Sequence, residues 1–209
     1  SEIFFMPGMK TNPSRRPAPT DRQLLRVTVL AGGPSAERAV SLESGRAVAD
    51  ALRRRGHEVH VTDIAPDNLA AFDHPADVIF PALHGTFGED GTVQRLMEQR
   101  NIRFVGSDAR ASALAMDKVV AKSLVAADGI DTPRFEVWDA ATLGARQVPA
   151  LPLPVIVKPV DQGSSVATSI VREPAAFLSA VCQALDAFRR ALVEEFIVGE
   201  EITVGIVGA

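Results

Sequence analysis

Apolar and polar positions fall into short, regularly punctuated runs from Arg26 onward. Residues 26–31 (RVTVLA) are β-branched and are broken by Gly32-Gly33-Pro34-Ser35, which predicts a short strand and a tight turn. From about residue 39 to 55 the period becomes helical, with Val40, Val48 and Leu52 near one face and Gly56 where a helix-ending glycine belongs. Residues 58–64 (EVHVTDI) alternate as a strand does. Residues 77–83 (DVIFPAL) form a nearly continuous apolar run, the pattern of a strand buried on both faces. A loop, residues 84–91 (HGTFGEDG), leads to a helix over 92–100 with Val93, Leu96 and Met97 facing in. Residues 103–106 (RFVG) read as a fourth strand. Strand–helix alternation with short links predicts a parallel sheet wrapped by helices.

A second unit begins with one long helix over about 108–127, N-capped by Ser107 and closed by Gly129. Strands are expected at 134–138 and 155–158, separated by the proline-rich link 149–154. A polar loop, 161–168 (DQGSSVAT), precedes a short strand at 169–171. Pro174 opens an apolar-periodic helix through 188, a position that tolerates its missing N–H. Two more strands, 191–197 and 201–207, follow. The fold class is therefore α/β in two units with a boundary near Lys118. Residues 24–117 should carry a parallel sheet and residues 118–200 a smaller antiparallel or mixed one. Residues 1–23, with Pro7, Pro13, Pro17 and Pro19 and no periodicity, read as a flexible leader. Residues 201–209 read as the start of a further domain, because the chain stops inside a strand pattern.

Composition narrows the function classes. The chain has 209 residues, 46% of them hydrophobic, and a net charge of −4, with pI near 5.6. This balance argues against nucleic acid or an anionic membrane as the main partner. No apolar run reaches the ~18 residues of a membrane span. The single Cys182 excludes a disulfide framework and any multi-cysteine zinc site, and suits a reducing, cytoplasmic setting. Of 22 basic residues only Lys10, Lys118, Lys122 and Lys158 are lysines, so a lysine inside a motif stands out.

Three segments carry candidate chemistry. The first is Gly32 to Glu37 (GGPSAE), between the first strand and first helix, where an open parallel sheet binds its ligands. It is not GxGxxG, so it lacks the dinucleotide fingerprint, and no GxxxxGK[ST] run occurs. In the second, His84 ends a strand and opens a loop with three glycines, a setting suited to an anion or a proton transfer. The alternative is a locally bonded histidine with Glu89 and Asp90 capping the next helix. The third is Lys158, at a strand end beside Gly163-Ser164-Ser165-Val166. A point charge next to backbone N–H donors and hydroxyls suits a triphosphate; a surface lysine beside a turn is the alternative. Glu194-Glu195-Phe196-Ile197 offer backbone groups and an apolar side chain for a planar adenine, or form a solvated acidic edge.

Together, residues 32–45 (GGPSAERAVSLESG), 82–94 (ALHGTFGEDGTVQ), 106–118 (GSDARASALAMDK), 153–166 (LPVIVKPVDQGSSV) and 192–204 (LVEEFIVGEEITV) resemble the D-alanine–D-alanine ligase family of ATP-grasp enzymes, in order and spacing. The resemblance implies a Rossmann-like N-terminal domain followed by part of an ATP-grasp domain. It implies ligation of two D-alanines through an acyl-phosphate with ATP converted to ADP, for peptidoglycan, by a cytoplasmic homodimer. Relatives joining D-alanine to D-lactate or D-serine, or a non-catalytic binding protein of the same fold, are the alternatives. In this resemblance Glu37 meets the ammonium of the first D-alanine and His84 its carboxylate. Lys118 and Lys158 grip the ATP phosphates, and Ser164, Ser165 and Val166 lie in the loop closing over them, with Ser164 also at the reacting centre. Residues 194–197 form the adenine hinge, and Glu201 bonds the ribose. The family's Mg2+ ligands and its tyrosine flap belong to a C-terminal lobe this sequence does not carry. No metal ligand is therefore assigned, and the chain by itself is expected to be inactive. In this resemblance Ala167 stands where the family usually has glycine.

Overall fold

Burial of Val27, Thr28, Val29 and Leu30 makes the first strand, β1 (Arg26–Leu30), the centre of a three-stranded sheet. In the computed structural model, which describes residues 23–163, 167–202 and 204, this sheet has the order β2-β1-β3. Its flanking strands are β2 (Glu58–Thr62) and β3 (Val78–Pro81), and both run parallel to β1, with Thr28 opposite His60 and Val29 opposite Phe80. Parallel neighbours require crossovers, and α1 (Arg38–Arg54) supplies the first.

The face α1 turns to the sheet differs from the expected one. Val40 is 53% exposed, whereas Ser41, Gly45 and Ala49 are buried at four-residue intervals. A Cβ on Gly45 would overlap that of Ala31, so the helix lies too close to the strand end for a large side chain. β3 is also less buried than its apolar run suggested: only Ile79 is fully inside, because β3 lies beside β1 alone in the sheet. The expected strand at 103–106 reduces to one parallel bridge, Phe104 to Ile79, before Gly106 turns the chain with φ +111°. α2 (Thr92–Gln99) buries Val93 and Met97, with Leu96 partly covered, as its period implied.

The second sheet is antiparallel, in the order β4-β7-β5-β6, from β4 (Phe135–Trp138), β5 (Val155–Pro159), β6 (Ser169–Val171) and β7 (Ala191–Glu195). α6 (Pro174–Ala187) covers it, with Pro174 in its first turn. Trp138 and Phe177 meet edge-on at 5.0 Å in a core completed by Val155, Val157, Val181 and Val193.

Two helices differ from the reading of the sequence. The long helix is two: α3 (Ala109–Met116) and α4 (Lys118–Ala127). Asp108, not Ser107, caps α3, accepting from the Ala111 N–H at 2.7 Å. Asp117 leaves helical geometry at ψ 103° and caps α4 through the Val119 and Val120 N–H groups, which is what breaks the run. The six-residue α5 (Ala140–Ala145), capped by Asp139, was not anticipated. β7 ends at Glu195. Glu201, Ile202 and Val204 are exposed and in no strand; the rest of the expected strand at 201–207 lies outside the described residues.

Candidate functional site

The carboxyl ends of β1 and β3 are tied together by short side chains. Ser41 Oγ donates to the Ala82 carbonyl at 2.7 Å and accepts the Gly32 N–H at 2.8 Å. Ser35 Oγ donates to the His84 carbonyl at 2.6 Å and accepts the Glu37 N–H at 3.1 Å. Asp63, just past β2, accepts the Gly33 N–H at 2.9 Å and pairs with Arg38, whose other nitrogen donates to the Gly33 carbonyl at 3.1 Å. The Gly32-Gly33 turn is thus fixed from both sides, at φ +95° and +79°, values that glycine adopts without strain.

This turn sets Glu37 at the N-cap of α1. Its carboxylate reaches Gly85: a Cβ there would lie 2.5 Å from Glu37 Oε2, so glycine is what admits the side chain. The His84 ring is held through Nε2, with the Glu89 carboxylate near its other nitrogen. Nε2 is 3.0 Å from Ser44 Oγ, and Nδ1 lies 3.8 Å from Glu89 Oε1, while Glu89 Oε2 accepts the Gly85 N–H. A carboxylate and an imidazole therefore stand at neighbouring strand ends.

The cationic group belongs to the second sheet. Lys118 is the first residue of α4; its Nζ donates to the carbonyls of Val160, at 3.4 Å, and Gln162. Burial, followed by the neighbouring Lys158 charge, holds the Lys118 ammonium below the usual lysine range. Lys158 Nζ, on β5, pairs with Glu194 Oε1 on β7, and Lys122 Nζ lies 3.0 Å from Glu194 Oε2. The loop after β5 joins the two groups: Gln162 Nε2 donates to Thr86 Oγ1 at 3.2 Å, and a Cβ on Gly163 would lie 3.6 Å from Glu37 Oε2.

Two family models match the chain in succession, "D-ala D-ala ligase N-terminus" over residues 62–107 and "D-ala D-ala ligase C-terminus" over 124–209. A D-alanine–D-alanine ligase of Gloeobacter violaceus is 44% identical over 186 residues, 87% of this chain and 62% of that protein. One of Moorella thermoacetica is 41% identical over 192 residues, 88% of this chain and 62% of that protein. The chain belongs to the D-alanine–D-alanine ligase family. It spans about three fifths of the length of these relatives. Among solved structures, the D-alanine–D-alanine ligase of Helicobacter pylori shares the fold at TM-score 0.72 and 24% identity, covering 84% of this chain and 64% of that one. The VanG D-Ala:D-Ser ligase of Enterococcus faecalis matches at TM-score 0.71 and 28% identity, over 85% of this chain and 64% of that one.

Within this ligase-family chain, the structure brings the residues singled out from sequence into two groups and leaves others outside them. Glu37 and His84 stand together, and so do Lys118, Lys158 and Glu194. Glu194 is 6% exposed, so the solvated-edge alternative fails for it. Glu195 faces the other way and pairs with Arg134. Phe196 lies under the Arg172 guanidinium at 5.1 Å, and Ile197 and Glu201 are exposed. Ser164, Ser165 and Val166 lie outside the described residues. The helix-capping alternative for the loop after β3 applies to Asp90, which accepts the Thr92 N–H at 2.9 Å, and not to Glu89, which turns back to Gly85. Two contributors were not singled out: Ser44, seven residues after Glu37 on the same helix, and Lys122, four after Lys118. Helical spacing from a residue already chosen was the available signal for both.

Proposed function

We propose that this protein joins two D-alanines into D-alanyl-D-alanine, with ATP converted to ADP and phosphate through an acyl-phosphate of the first D-alanine. The reading is carried by one juxtaposition: Gln162 donates to Thr86 in the loop after His84 and accepts from Lys118, and the neighbouring Gly163 lies beside the Glu37 carboxylate. An acyl-phosphate requires an amino-acid carboxylate and a terminal phosphate to meet. A loop shared by an ammonium-and-carboxylate clamp and a pair of lysines suits that meeting.

In this reading Glu37 pairs with the substrate ammonium, and His84, steadied by Ser44, donates to its carboxylate. Lys118 and Lys158 hold phosphate oxygens, Ser164 and Ser165 close over them, with Ser164 reaching the reacting centre, and the backbone of 194–197 receives the adenine, with Glu201 at the ribose. The lysines fit a polyphosphate by charge. Mg2+ would supply further charge neutralisation, but among the described residues no cluster of three His, Cys, Asp or Glu could hold it, and no step is assigned to it. We assign residues 24–117 to a substrate-binding domain and 118–200 to the ATP-grasp domain, in a cytoplasmic homodimer serving peptidoglycan synthesis. Among the described residues, no helix is long and apolar enough to cross a membrane.

Incubating the intact protein with ATP, D-alanine and competing D-serine and D-lactate should yield D-alanyl-D-alanine and ADP. A mixed dipeptide or an ester as the main product would overturn the assignment. Glu37→Gln should lower kcat/KM for D-alanine about tenfold or more while Tm hardly moves. If Tm falls and the kinetics survive, Glu37 serves only the helix end.

A further inference from the structure

Lys122 lies in none of the segments that suggested chemistry, yet it is buried where Lys118 and Lys158 are only half-buried. A buried ammonium persists only if it is paired and hydrogen-bonded. Lys122 Nζ donates to Thr132 Oγ1 at 2.6 Å, lies 3.0 Å from Glu194 Oε2, and sits 5.1 Å from the Phe135 ring centre. The Glu194 carboxylate therefore carries one lysine on each oxygen: Lys158 on Oε1 and Lys122 on Oε2.

The stoichiometry of charge matters. Were Lys158 the only partner of Glu194, the two would form a closed pair. Turning Lys158 toward a phosphate would then strand a carboxylate in the protein interior, an arrangement that is strongly unfavourable. With Lys122 in place, Glu194 keeps a counter-charge whichever way Lys158 points. We infer that Lys122 is a positioning residue that holds the Glu194 carboxylate and so frees Lys158 to engage nucleotide phosphates. This rests on the ATP reading proposed above.

The test is ATP affinity by calorimetry, with Tm measured alongside, for wild type, Lys122→Met, Glu194→Gln and the double variant. Lys122→Met should bind ATP about tenfold more weakly or worse, because Glu194 then retains Lys158. The double variant should recover most of the lost affinity, since a neutral amide does not capture the lysine. A Lys122→Met protein binding as well as wild type overturns the inference, and so does a double variant no better than the single one. If Lys122→Met does not fold, the double variant is compared with Glu194→Gln: equal affinities support the inference and a tenfold deficit overturns it. A wild type that binds no ATP overturns the reading of the site itself.

Discussion

Asp63 shows how one carboxylate sets the geometry of a turn. The Arg38 hydrogen bond first, and the Gly33 and Ile64 N–H groups against the opposing effect of burial, hold its pKa below the usual carboxylate range. The folded chain then binds this proton less tightly than the unfolded chain does. The stabilisation is complete above the unfolded value, about 3.9, and is lost as pH falls through the lower folded value. Asp63→Asn should therefore flatten the fall of Tm below about pH 4, where the wild type loses this contribution. An unchanged Tm–pH profile would show that the Arg38 pair adds nothing measurable. Ala167 matters at the same scale. Its φ of +50° is left-handed, a conformation that costs an alanine roughly 1–2 kcal/mol.

At the scale of elements, the break between α3 and α4 aims Lys118. Asp117 caps α4, and its Oδ2 receives Arg190 at 2.7 Å, so the cap joins the helix to the turn before β7. Burial works to raise the Asp117 pKa, but Arg190 and the capped N–H groups outweigh it and keep the carboxyl ionised. The backbone N–H of Lys118 donates to Val160 at 3.0 Å, which fixes the first turn over the loop after β5. Asp117→Ala should cost about 0.5–2 kcal/mol in chemical denaturation, the range for a lost N-cap. Asp117→Asn, which keeps a capping oxygen, should recover part of that loss. Equal stability of Asp117→Ala and wild type would mean that Arg190 and the cap are replaced by water at no cost.

For the whole molecule, each sheet carries its own hydrophobic clusters. Phe177 is fully buried against Trp138, and Phe177→Ala should cost about 3–5 kcal/mol. Hydrogen exchange should show the loss in β4, β5 and β7, while amides of β1 and β3 keep their protection. Uniform loss across both sheets would mean that the chain unfolds as one cooperative unit.

Local pattern fixed most of the elements. β-Branched residues marked β1, alternation marked β2, the apolar runs marked β3 and β5, and helical periods with glycine or proline punctuation marked α1, α2 and α6. The order of strands and helices then required a parallel sheet followed by another kind, because side-chain period and short links are properties of the chain itself. Partnership across the fold was not written there. The period of α1 could not show that Ser41, Gly45 and Ala49 face a strand too close for Val40, nor that residues 103–106 would find one bridge and no ladder. The sequence named Lys158 and Glu194 separately. Only the antiparallel pairing of β5 with β7, which sets Lys158 opposite Leu192 beside Glu194 and brings Lys122 across from α4, turned the two glutamates into unlike residues. Glu194 is buried between two cations, and Glu195 is turned out to Arg134. Charge and type are local, but burial and counter-charge come from residues 36 and more positions away in the chain.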